Sequence, residues 1–395
     1  MVKTAFTLFP VFVCLFWMLM FLVDAGRNKF VRFIMFAFFG VAFLLYFAHA
    51  LYFNYEYSLY LYFDVVYNFA TIAVYPLYFV YIVYLTREVS FNSTYFFLLI
   101  PAVFMAVLTA VLYLVMGEQE SISFIRSVLY FEEVDYALSL AGKLQLLRYH
   151  LLPVVFSVQL IAIVFIGSRN IIKFDEKVKE SYADTEGRNL TWTQRWFLIF
   201  ALFSVFSMIA NALGRAFFLS DKLLYVSSFV FSILLFLVGY ASYRQRFTAI
   251  ELHKDQNEGT VDEELFKELE PSYIISESQR KLLKSRLQQL LEDERIYTKK
   301  DLRIVDVSAR LNTNRTYVSR VINQEYGKSF SDLINYYRFK EARQMLISKE
   351  YALLSVSEIA QRAGFPSESS FYRIFKKETG VSPGDWRKIN YDKRG

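Results

Sequence analysis

Apolar residues run through the first 243 positions in stretches near membrane-spanning length, beginning at about Thr4, Phe30, Ser58, Thr94, Tyr149, Gln194 and Leu223. Stretches of this length predict seven spanning helices. After Tyr243 the pattern changes. Glu251 to Glu294 holds twelve acidic residues against six basic ones, with Gly259 and Pro271 in its first half, and this predicts a flexible linker. Ser276 is placed to cap a helix bearing Leu283, Leu287 and Leu290, a spacing that fits either the first helix of a following domain or a short dimerising seam. From Lys299 onward, short runs with apolar residues three and four apart alternate with turns, which predicts a soluble all-α domain.

Two of these runs repeat each other. Arg320-Val321-Ile322, followed by Glu325-x-Gly327-x-Ser329, reappears as Arg373-Ile374-Phe375 followed by Glu378-x-Gly380-x-Ser382, and Asp332 answers Asp385. The preceding helix repeats as well, Val307 to Arg310 matching Ile359 to Arg362 with a one-residue shift in the turn. Each copy is a short helix, a tight turn at Asn312 to Asn314 or Gly364 to Ser367, and a second helix stopped by glycine. Two helix-turn-helix units are therefore expected, joined by a long helix from about Ser331 to Ile347.

Composition sharpens the first half of this picture. With 55% hydrophobic residues and a mean hydropathy of +0.28, the 395-residue chain is too apolar to be wholly soluble. The first stretch is too long for a signal-peptide core, and Arg27, Lys29 and Arg32 follow it. Carrying the alternation forward leaves twelve basic residues in the inside segments against six, Arg148 among them, in the outside ones. The expectation is an N-terminus outside, seven spans and a cytoplasmic tail in a bacterial inner membrane. The fold class is accordingly all-α, a polytopic seven-helix membrane domain at 1–245, an acidic linker and lead-in helix at 246–298, and a cytoplasmic tandem helix-turn-helix domain at 299–395.

Candidate chemistry in the membrane half is sparse. His49, Asp64, Asn68 and Asn211, with Tyr67 and Tyr75, either line a polar pocket or serve as helix-to-helix hydrogen bonds. Tyrosines at the ends of the second and third stretches read as an aromatic belt. The outside loop from Gly117 to Arg148 carries Glu118, Glu120, Glu132, Glu133 and Asp135 and an amphipathic run from Ile122 to Tyr130, a sensing element or a solvated spacer. Cys14 is the single cysteine, and His49, His150 and His253 are scattered, so neither a disulfide nor a metal or other cofactor is expected. No HExxH, GxGD, phosphate-cradling loop or kinase signature is present, and no enzymatic activity is expected.

The last segment holds nineteen basic residues against eleven acidic ones from Lys299 onward, a balance that attracts phosphate. A tail lying on anionic lipid would be one amphipathic helix or a plain Lys/Arg cluster, which this is not. Lys299 to Arg387 resembles the DNA-binding domain of the AraC/XylS family of bacterial transcription regulators. The resemblance rests on Glu358-Ile359-Ala360, Gly364-Phe365, Ser367, Phe371, Arg373, Phe375-Lys376, Gly380 and Ser382-Pro383 through Arg387. It covers about a quarter of the chain. The family's usual cupin-like effector domain is missing, and a membrane domain stands in its place.

In a helix-turn-helix the second helix enters the major groove. By periodicity the first unit offers Arg315, Thr316, Ser319, Arg320 and Asn323 to base edges, and the second offers Glu368, Ser369, Tyr372 and Arg373. The resemblance implies base contacts around Arg320 and Arg373. Lys328, Arg338, Lys376 and Lys377 are expected on phosphates, and Phe365, Phe371, Phe375 and Trp386 in the core. The chain thus reads as a membrane-anchored transcription regulator whose partners are double-stranded promoter DNA, the lipid bilayer and a signal ligand or partner protein. The habits of the family imply a homodimer. The alternative is a transporter or other membrane protein with an autoregulatory DNA-binding tail.

Overall fold

A computed structural model describes residues 2–24, 29–88, 93–130, 132–133, 137–213, 221–257 and 276–391, with the backbone alone at 93, 207–213, 221 and 391. The middle of the expected linker, with Gly259 and Pro271, lies outside the described residues, as does the side chain of Asn211. The described chain is helical, with one isolated antiparallel bridge and no strand among these residues. It divides into two compact units: residues 1–173 with 190–249, and residues 174–189 with 250–395.

The first unit contains α1 (Val2–Val23), α2 (Lys29–Phe53), α3 (Tyr57–Thr86), α4 (Ile100–Phe124), most of α5 (Leu140–Ser181), α6 (Thr191–Leu213) and α7 (Asp221–Arg244). Among the described residues, six helices are long and apolar enough to cross a membrane. The expected sixth stretch, from Gln194, forms α6, whose last side chains are outside those described. The third helix is the hub. It packs along α2 and α4; Tyr78, Tyr81 and Tyr84, expected as a belt at the helix end, are buried inside the bundle, as is Tyr75, expected at a polar pocket.

The run from Ile122 to Tyr130 does not form a surface helix. It completes α4 and a single wide turn over Ile125–Leu129, and Phe124, Ile125, Leu129 and Tyr130 are buried against Tyr52 and Tyr113. Tyr52 donates to the Leu129 carbonyl at 2.7 Å and Tyr130 to the Tyr52 carbonyl at 2.6 Å, so the run's buried polar groups find partners inside the unit.

The second unit contains α8 (Ala249–Asn257), α9 (Glu277–Glu292), α10 (Ile304–Leu311), α11 (Arg315–Tyr326), α12 (Phe330–Ile347), α13 (Val356–Arg362), α14 (Glu368–Thr379) and α15 (Pro383–Tyr391). Ser276 caps α9 in a capping box with Gln279, and Leu287, Leu290 and Leu291 enter the core around α10 and α11. Those leucines, with the partly buried Leu283, pack within the domain.

The first half of α12 belongs to one core and the second half to another. Phe330, Leu333 and Ile334 join Val318, Val321 and Ile322, whereas Phe339, Ala342, Met345 and Leu346 join Ile359, Phe365, Phe371 and Phe375. The sequence repeat decodes as capping chemistry. Gly327 and Gly380 take the left-handed conformation that stops α11 and α14, and Ser329 and Ser382 each accept from the backbone N–H of Asp332 and Asp385 while bonding their carboxylates.

The second unit of the repeat opens on a capping box. Ser355 accepts from the Glu358 N–H, and the Glu358 carboxylate accepts from the Ser355 N–H at 2.7 Å; these bonds hold its pKa below the usual range. Replacing Ser355 with alanine is expected to cost about 1 kcal/mol, read as a lowered thermal midpoint. Gly364 closes the turn that follows. Its φ is +92°, and a Cβ there would stand 2.6 Å from the Tyr297 carbonyl oxygen and the Thr298 Cα, so no other residue fits without moving backbone.

The expected boundary at residue 245 therefore differs from the structure in one place. The end of α5 and the turn after it, residues 174–189, belong to the second unit. The reason is backbone pairing: Tyr182 bridges Arg303 in antiparallel fashion, the Ala183 N–H donates to the Leu302 carbonyl at 2.9 Å, and Ala183 is buried in the first helix-turn-helix core.

Candidate nucleic-acid interface

The second helices of the two motifs, α11 and α14, begin from matching caps. Asn314 accepts from the Tyr317 N–H, and Ser367 from the Ser370 N–H. Each helix buries one stripe, Val318, Val321 and Ile322 in α11 and Ser370, Phe371 and Phe375 in α14. The opposite faces carry the residues expected to meet bases. Thr316, Arg320 and Asn323 are exposed on α11, with Arg315 and Ser319 half-buried, and Glu368, Ser369, Tyr372 and Arg373 are exposed on α14. An exposed arginine at the same place on two equivalent helices presents two planar donor forks, each suited to bidentate pairing with guanine.

Of the expected phosphate contacts, Lys376 and Lys377 are exposed, and Lys328 is half-buried with its ammonium 5.3 Å from the centre of the Tyr336 ring. Arg338 is a correction. Its side chain is 0% exposed, and its guanidinium donates to the Tyr297 carbonyl at 2.7 Å and the Lys299 carbonyl at 2.9 Å. Burial pulls its pKa down to about 10, against the pull of Asp184 and Asp301, so it stays charged at neutral pH. Buried in this way it staples the stretch before α10 to α12 and cannot reach a phosphate.

Two acidic residues that sequence reasoning did not single out lie on the same faces. Ser319 donates to the Glu180 carboxylate at 2.7 Å and Asn323 reaches it at 3.5 Å. Ser367 and Ser369 donate to Glu186 at 2.8 Å and 3.2 Å.

The first unit holds a separate candidate site. A cavity of about 840 Å³ is lined by His49, Asp64, Tyr67, Asn68, Tyr75 and Arg148, among others. Three of the four residues expected at a membrane pocket therefore meet there. Arg148, expected in an outside loop, sits within α5 and is 2% exposed. Its guanidinium is 3.7 Å from Asp64 and donates to Asn68 and Gln145; Tyr113 and Tyr60 donate to Asp64 at 2.9 Å and 3.3 Å. The two charges thus lie deep in the unit, paired with each other, with hydroxyl donors around Asp64 and amide-oxygen acceptors around Arg148.

Residues 307–389 match the family described as a helix-turn-helix domain. Over 91 residues the chain is 30% identical to the xylose operon regulatory protein of Escherichia coli strain K12, and over 87 residues it is 31% identical to the Msm operon regulatory protein of Streptococcus mutans. It is also 32% identical over 87 residues to an uncharacterised HTH-type transcriptional regulator of Bacillus subtilis. These matches cover 22% to 23% of this chain and 11% to 30% of the relatives' own lengths. A solved protein of unknown function from Listeria innocua aligns over 27% of this chain and 95% of its own, at 26% identity and a TM-score of 0.24.

Proposed function

We propose that this chain, whose C-terminal part carries a helix-turn-helix domain of the AraC type, is a membrane-anchored transcription regulator of a bacterial inner membrane. Its relatives through that domain are transcriptional regulators. The observation that carries the reading is the pair of capped helices α11 and α14, each showing an exposed arginine at an equivalent position, Arg320 and Arg373. In this reading both helices enter successive major grooves of promoter DNA, with Lys376 and Lys377 on the backbone. The apolar helices hold the chain in the bilayer with the C-terminal domain on the cytoplasmic side. The cavity around Asp64 and Arg148 receives the signal, its buried charge and tyrosine hydroxyls suiting a small polar or amphipathic ligand.

Chromatin immunoprecipitation of the tagged full-length protein tests the reading. Discrete promoter peaks are expected, and Arg373→Ala should erase them while leaving weak binding to bulk DNA, because one bidentate arginine discriminates by about 1–3 kcal/mol. Equal loss on every sequence would assign Arg373 to the backbone instead.

A further inference from the structure

Residues 174–189 are tied to the DNA-binding unit at more points than a connecting turn requires. Besides the backbone pairing of Ala183 with Leu302, the Ala183 carbonyl accepts from Ser331 at 2.9 Å and from Asn335 at 3.0 Å, both on α12. Tyr182 donates to Asp255 of α8 at 2.6 Å, Gln256 to Ser181 at 2.8 Å, and the Arg188 guanidinium lies 4.6 Å from the centre of the Tyr182 ring. Ala183 is thereby fixed in place. Two carboxylates three residues to either side, Glu180 and Glu186, then fall on different helices, Glu180 on Ser319 and Asn323 of α11 and Glu186 on Ser367 and Ser369 at the start of α14.

We propose that residues 174–189 are a built-in clamp on the DNA-reading surface: Glu180 and Glu186 occupy the faces of α11 and α14, and this segment must leave before both helices can enter DNA. The proposal rests on the DNA-binding reading above. Its chemistry is that of mimicry. A carboxylate accepts hydrogen bonds from the same hydroxyl and amide donors that a phosphate or base edge would use, and its negative charge meets a basic surface. Duplex and segment compete for one set of donors.

The contacts made by Glu180 and Glu186 are charged hydrogen bonds at a partly solvated surface, whereas the bonds that hold Ala183 are neutral and buried in part.

The test uses full-length protein in lipid nanodiscs and a promoter fragment recovered by immunoprecipitation. Glu180→Ala with Glu186→Ala is expected to lower Kd about tenfold, equivalent to about 1.4 kcal/mol. Asp293→Ala with Glu350→Ala removes the same charge from exposed positions outside α11 and α14 and should leave Kd within about twofold. A Tyr182→Cys, Arg303→Cys pair, opposite each other in the bridge, locks the segment down when oxidised, and that form should bind at least about tenfold more weakly than after reduction.

Equal tightening by the charge-matched pair, or equal binding by the oxidised and reduced forms, overturns the clamp. Unchanged Kd in the Glu180/Glu186 variant, with Arg373→Ala still losing specific binding, removes the clamp and leaves the DNA-binding reading intact. Full specific binding by Arg373→Ala removes both.

Discussion

Arg338→Ala is expected to destabilise the C-terminal unit by about 3–5 kcal/mol, because two hydrogen bonds from a charged group at roughly 1.5–3 kcal/mol each vanish and two buried carbonyls lose their donor. The side chain is fully buried on α12, and it joins that helix to the Tyr297 and Lys299 carbonyls just ahead of the first helix-turn-helix. Lysine should not rescue it, since a single ammonium lacks the planar fork that spans both oxygens. Methionine should do better than alanine, because both remove the buried charge but only methionine fills the volume. Thermal denaturation of the full-length protein, followed by the far-ultraviolet signal and by loss of DNA binding, measures the ranking. An alanine variant with the parent's midpoint would show that Arg338 does not staple the unit.

The second large effect belongs to the apolar unit. Asp64→Ala leaves Arg148 buried without its carboxylate, and breaking such a pair from one side costs about 3–5 kcal/mol. Tyr60 and Tyr113 also lose their acceptor. The double variant Asp64→Ala, Arg148→Met removes both charges and should recover much of the loss, so the two changes together cost less than their sum. Melting curves in detergent or nanodiscs give the cycle. Strict additivity would mean that the two side chains do not act as a pair.

Much of the C-terminal unit was legible because its information is local. The glycine stops, serine caps and apolar stripes of α10, α11, α13 and α14 each sit within a few residues of what they determine, and the repeat doubled the signal. What escaped was non-local. Arg338 looks like one more cation in a basic domain, although Ile334 and Ala342, one turn to either side, place it on a buried stripe. Arg148 depresses hydropathy at the start of α5 and reads as loop, because the carboxylate that neutralises it is on α3. Residues 174–189 counted only toward the charge bias of a loop. Nothing near Glu180 or Glu186 in sequence reveals partners more than a hundred positions away.

The two halves of α12 sit in different cores, so the spacing of α11 and α14 is set by a rod of 18 residues. At 1.5 Å per residue that rod is about 27 Å long, and no flexible joint interrupts it. The consequence falls on the promoter. With about 10.5 base pairs per turn, one inserted pair between the two contact sites turns the second by about 35° and moves it by about 3.4 Å, which a rigid spacer cannot follow. In the DNA-binding function proposed above, the operator must therefore keep its phase to the base pair, whatever the sequence between the contacts.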